Sequence, residues 1–191
     1  MTSIQNLNKF KLPENFRGKN AFTVQLWWLI HTLFFKTSPQ VFYGWRRFLL
    51  RLFGAKIGKD VIIRPSASIT YPWKVIIGDY SWIGDDVVLY SLGEIEIGNN
   101  VVISQKSYIC GASHNYLKND FPIFAKKVTI EHECWLATDV FVAPGVTIGK
   151  GTVVGSRSSV YKNLPENKIC MGSPAKIIRP RIEKEDLHNR N

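Results

Sequence analysis

The groups with the most chemistry in this chain are few enough to weigh singly. Its 191 residues include four histidines (His31, His114, His132 and His188) and three cysteines (Cys110, Cys134 and Cys170). No cysteine pair has zinc-ligand spacing and no two histidines lie close together, so no metal centre is expected. A single imidazole can still take up and return a proton near neutral pH. A lone histidine is more often structural, so position has to separate the two roles. His114 stands in the run Cys110-Gly111-Ala112-Ser113-His114-Asn115-Tyr116, where the pattern described next is interrupted.

That pattern begins at Ile57. Steps of six or eight residues lead through Ile63, Ile69, Ile77, Ile83, Leu89, Ile97, Ile103 and Ile109. After a gap of 21, steps of six resume at Ile130 and continue through Leu136, Val142, Ile148, Val154 and Val160. All of these are Ile, Leu or Val. Glycine often follows the aliphatic residue (Gly58, Gly78, Gly84, Gly98, Gly149, Gly155), and a small or β-branched residue usually stands four positions after it. Six residues exceed one helical turn and suit a short flat strand plus a corner, so three strands close a triangular coil. Coils stack by parallel pairing about 4.8 Å apart, which places like residues above one another in an inward ladder. Glycine is expected to relieve the corner backbone. Every extra residue follows a third sextet, so the insertions leave the prism at one corner. The longest gives a loop at 115–129 that begins next to His114. His132, in the first sextet of the next coil, is expected to point to solvent.

The repeat resembles the hexapeptide-repeat, left-handed parallel β-helix family over residues 57 to about 180, and the left hand is implied by that resemblance alone. The aromatic N-terminal segment, the run Trp135-Leu136-Ala137-Thr138-Asp139-Val140 and the tail Gly172-Ser173-Pro174-Ala175-Lys176 resemble most the branch of colanic-acid-type polysaccharide acetyltransferases. The implied fold is all-β: a left-handed parallel β-helix of about five coils with short N-terminal helices and an extended C-terminal tail. The implied activity is acetyl-CoA-dependent O-acetylation of a sugar hydroxyl, without a metal, in surface-polysaccharide assembly. His114 would be the base that deprotonates the acceptor, and the Thr138 N–H would meet the thioester oxygen. Ser156 would lie along the pantetheine arm. Tyr161, Lys162, Lys176 and Arg179 would lie near the adenosine and its phosphates, for which Lys and Arg are suited. Maltose- and galactoside-type relatives carry an acceptor-orienting Asn one coil before the base, where this chain has Gly84. Asp85 or Asp86 could bind sugar hydroxyls instead, with Asn115 and Tyr116 beside the base. The family also implies a homotrimer with sites between neighbouring prisms. Three rival functions remain at this point: N-acetylation of an amino sugar or a xenobiotic, an inert scaffold or binding trimer, and a zinc carbonic anhydrase on the same fold. The last needs three converging histidines, and only His114 and His132 fall within the repeat.

The elements before the repeat form a second electrostatic object. Hydrophobic residues at 45% and charged residues at 21% describe a globular chain, and the length suits one domain. The net charge is +10, yet residues 1–56 hold nine basic residues against one acid, Glu14, a balance of +8. The remaining 135 residues balance at +2. No RNA-stacking or groove-reading motif accompanies that charge, so nucleic acid is not expected as a partner. Residues 22–35 and 41–53 read as two short aromatic helices separated by Pro39, too short and interrupted to span a bilayer. The second sets Arg46, Arg47 and Arg51 beside Phe48, Leu49, Leu50, Leu52 and Phe53. Such a helix either lies on an anionic membrane or packs on protein. The organisation expected is a basic helical segment (1–56), the β-helix (57–165) and a tail packing back on it (166–191). The chain is expected in the cytoplasm, with residues 1–56 giving peripheral contact at the inner face of the membrane, near a sugar or lipid-linked saccharide acceptor.

Overall fold

A computed structural model describes residues 3–182; residues 183–191, with His188 and the end of the tail, lie outside that range. Short strands repeat around three faces. The first face stacks Lys56–Ile57, Val75–Ile77, Ile95–Ile97, Val128–Ile130 and Thr147–Ile148. The second stacks Ile62–Ile63, Trp82–Ile83, Val102–Ile103, Trp135–Leu136 and Val153–Val154, and the third Ser68–Ile69, Val88–Tyr90, Tyr108–Cys110, Phe141–Val142 and Ser159–Val160. All pairing between coils is parallel and in register, for example Ile57↔Ile77, Ile77↔Ile97, Ile97↔Ile130 and Ile130↔Ile148. The ladder residues are buried and form one continuous core. Full burial of each such side chain contributes about 2 kcal/mol.

The glycines that follow the ladder act differently from the expectation. None of Gly58, Gly78, Gly84, Gly98, Gly149 and Gly155 has a positive φ; the left-handed residue of each corner comes two positions later, at Asp60, Tyr80, Asp86 and Asn100 among others. Glycine is required by close approach instead. A Cβ at Gly98 would stand 2.7 Å from the His132 nitrogen in the next coil, and one at Gly149 would stand 2.5 Å from that of Glu166. The stack also continues past Val160: Leu164 bridges Ile148, and Lys168–Gly172 pairs parallel with the second face, setting buried Cys170 on Val154. The chain then reverses, and Ala175–Pro180 pairs antiparallel with Lys168–Gly172.

Two helices close the other end: α1 (Ala21–Ile30), extended by a π-turn at His31–Phe35, and α2 (Tyr43–Leu52). The Asn20 side chain caps α1 by accepting from the Thr23 N–H. In the stack, carbonyls such as those of Ile77 and Ile83 accept from the coil below, from the Gly58 and Arg64 N–H groups, while other N–H groups, such as that of Tyr80, donate downward. Carbonyls of the first coil therefore have no coil beneath them. The helices supply the donors. Arg51 donates to Ile57 and Gly58, Arg47 to Val61 and Arg46 to Ile63, while His31 donates to Ala67 and Trp27 to Ile69. Arg46 is fully buried and also donates to Ser38 and Pro39. The arginines of α2 thus face the protein, while its aromatic residues Trp45 and Phe48 are exposed.

Candidate active site

All three insertions leave at the corner between the third and first faces. The longest is an ordered β-hairpin: Ala112–His114 pairs antiparallel with Ile123–Ala125, matching His114 with Ile123. His114 is the last residue of the outgoing strand, where pairing ends and the tip of the hairpin begins. Its Nδ1 lies 3.0 Å from the Phe121 carbonyl oxygen. A carbonyl only accepts, so Nδ1 carries a proton, and in the neutral ring Nε2 is the nitrogen with the lone pair. The Phe121 ring stacks on the imidazole at 4.4 Å and 12°, and Phe10 approaches at 5.9 Å. Phe121 has a φ of 47°, a left-handed conformation that costs a bulky residue about 1 kcal/mol. That conformation accompanies the placement of both its carbonyl and its ring against His114.

The hairpin tip is tied down from two sides. The Asn115 side chain accepts from the Leu117 N–H, an Asx turn, while its own N–H donates to Pro122. Asn119 accepts from the Asn6 N–H at 2.7 Å and donates to the Ser3 carbonyl. Tyr116 is exposed at the tip. Sequence reasoning missed Phe10, Asn119 and Phe121; only the insertion beside His114 could have pointed to the last two.

The other expected site residues divide among three places. Tyr161 and Lys162 share the hairpin's corner, two coils above His114, and are exposed. Thr138 and Ser156 sit at the corner between the second and third faces, in successive coils. The Thr138 hydroxyl donates to the Gln105 carbonyl. The N–H groups of its neighbours Ala137 and Asp139 donate to Val154 and Gln105, whereas that of Thr138 meets no acceptor among the described residues. Asp85 and Asp86 lie lower on the same corner; Asp85 pairs with Arg64 at 2.9 Å and accepts from Ser66. Lys176 and Arg179 lie on the antiparallel tail strand over the second face. One chain therefore does not bring His114 together with Thr138.

His132 is exposed, and its Nδ1 accepts from the Asn99 N–H at 2.9 Å, so it serves a corner of the stack. Burial pushes the thiols of Cys110, Cys134 and Cys170 upward, Cys134 to about 11, which leaves them protonated and poorly nucleophilic near neutral pH.

No protein-family model matches the sequence. The chain is 62% identical over 182 residues to the protein named colanic acid biosynthesis acetyltransferase WcaF in Escherichia coli K12, covering 95% of this chain and 100% of the relative. A maltose O-acetyltransferase from Clostridium difficile 630 superposes with a TM-score of 0.77 at 26% identity, over 90% of each chain. A hexapeptide-repeat acetyltransferase from Vibrio cholerae, solved with acetyl coenzyme A, superposes with a TM-score of 0.75 at 25% identity, over 89% of each chain.

Proposed function

The chain belongs to the hexapeptide-repeat, left-handed β-helix acyltransferases, in the colanic-acid-type branch, and on that premise we propose that it moves an acetyl group from acetyl-CoA to a sugar hydroxyl in surface-polysaccharide assembly. The observation that carries the residue assignment is the bond from His114 Nδ1–H to the Phe121 carbonyl. It fixes the tautomer whose Nε2 can accept a proton. In the proposed reaction Nε2 takes the acceptor's hydroxyl proton as that oxygen attacks the thioester carbonyl. The Thr138 N–H steadies the negative oxygen. The tetrahedral intermediate then expels the CoA thiolate, and the imidazolium returns the proton to sulfur. No cysteine is acetylated on the way.

His114 and Thr138 occupy different corners, so the reading requires a homotrimer in which one subunit offers the hairpin and its neighbour offers the Thr138–Ser156 column. Tyr161, Lys162, Lys176 and Arg179 would hold the nucleotide end of CoA, and Asp85, Asp86, Asn115 and Tyr116 the acceptor. Residues 1–56 would keep the enzyme at the inner face of the cytoplasmic membrane, where a lipid-linked saccharide is presented.

Thiol release from acetyl-CoA against sugars, nucleotide sugars and amino compounds tests the reading. His114→Ala should lower turnover by about a thousandfold while CoA binding persists. Unchanged turnover in that variant would remove the assignment, and acetylation confined to amines would move the enzyme to N-acetyl transfer.

A further inference from the structure

Helix α2 is inside out. Its guanidinium groups point into the protein as caps on the first coil, and its aromatic stripe points away. Phe42, Trp45, Phe48 and Leu52, spaced by three or four residues, form that stripe, and Phe48 is 53% exposed. Leu29 and Leu33 continue the apolar surface on α1 and its π-turn, at 55% and 52% exposed. Between the π-turn and the start of α2 runs an open groove of about 720 Å³, lined mainly by Leu33, Phe34, Pro39, Phe42, Trp45 and Phe48. A contiguous apolar surface of this kind marks an interaction site.

Charge selects the occupant. Between Glu14 and Asp60 the chain has no acidic residue, so every formal charge on the cap is positive. Three arginines are spent on carbonyls; of the basic residues that remain, Lys36 precedes the groove residue Thr37 in the chain and Lys19 lines a second groove with Leu26, Leu52 and Trp73. Aromatic and aliphatic side chains at the centre with lysines at the margins match an acyl layer beneath anionic headgroups. Among the described residues no helix is long and apolar enough to cross a membrane.

We propose that the outward face of α1, its π-turn and α2 docks on an anionic phospholipid bilayer, with Leu33 and Phe48 entering the acyl layer. This deepens the membrane contact proposed above by naming the face, and it does not depend on the catalytic assignment.

The test uses the full chain with phosphatidylglycerol-containing vesicles and with pure phosphatidylcholine vesicles, followed by co-sedimentation. Thiol release from acetyl-CoA with soluble acceptors is read on the same samples. The wild type should partition to the anionic vesicles, Leu33→Glu and Phe48→Glu should each lose at least about tenfold of that partitioning, and Phe48→Trp should retain it. Soluble turnover and the melting temperature should be unchanged in all three variants. A wild type that is active yet ignores anionic vesicles overturns the docking face and leaves the acetyltransferase reading intact. Vesicle binding without thiol release does the reverse. If Leu33→Glu or Phe48→Glu instead changes the oligomeric state in sedimentation without lipid, the face is a subunit interface and the proposal fails.

Discussion

Two imidazoles in this molecule rest on the same local arrangement and serve opposite ends. His31 and His114 each stack on a phenylalanine and each donate one ring N–H to a main-chain carbonyl. His31 is buried under the cap, where loss of solvent lowers its pKa from 6.5 to about 4; the Ala67 hydrogen bond opposes that shift and Lys36 reinforces it. It stays neutral and acts as a donor. His114 is only half-buried at the outer end of the hairpin's first strand, and its second nitrogen has no hydrogen-bond partner among the described residues. The buried case has a thermodynamic consequence. As pH falls below about 6.5 the unfolded chain takes a proton on His31 that the folded chain refuses until about pH 4. Stability fully present above 6.5 therefore declines through that window, by about 3 kcal/mol at most. Denaturant unfolding of wild type and His31→Gln between pH 7.5 and 4.5 measures this. The variant should show a shallower decline, and parallel curves would refute the account. The sequence singled out His114 because an insertion begins beside it. It gave no sign of which nitrogen holds the proton, because that depends on a left-handed Phe121 turning its carbonyl back seven residues.

At the level of elements, the repeat was legible because burial follows a strict period. Each ladder position from Ile57 to Val160 is an aliphatic residue inside the prism. What the period does not describe is an end. A stack of parallel coils leaves one row of carbonyls with no partner, and a buried carbonyl without a donor is costly. Five side chains from the N-terminal helices meet six such carbonyls, and their sequence spacing carries no trace of that duty. A basic, aromatic helix reads from sequence as a basic surface, whereas here the charge is structural and the aromatic residues are outside. Arg46→Met makes the point testable. It keeps the aliphatic bulk but removes the donors to Ile63, Ser38 and Pro39, so stability should fall by about 3 kcal/mol. Thermal melting reads the loss, and a melt within a degree of wild type would contradict the capping role. For the same reason, deleting residues 1–56 would expose the first coil and invite edge-to-edge association rather than report on lipid alone.

For the whole molecule, what matters is that the residues proposed for the site fall at two different corners of one prism. The hairpin corner holds His114, Tyr161 and Lys162, and the corner between the second and third faces holds Thr138 and Ser156. The sequence named these residues by resemblance to a family, but only the stacking shows that they belong to different corners. On the proposed assignment, a single chain would have a base without an oxyanion donor opposite it. In the proposed trimer, closed threefold symmetry would repair this three times over, each contact joining one corner to the other kind. Complementation between inactive chains then becomes possible. His114→Ala removes the base from one corner. Ser156→Trp, at an exposed position, places an indole in the path proposed for the pantetheine arm on the other. Each variant alone should be nearly inactive. Coexpressed in equal amounts, a subunit with an intact hairpin has a one-in-two chance of existing and the same chance of meeting an intact column, so about a quarter of wild-type turnover should return. If the two half-sites of a single chain formed the centre, every chain would carry one defect and mixing would restore nothing. Thiol release from purified mixed trimers, compared with the two unmixed variants, decides between these arrangements.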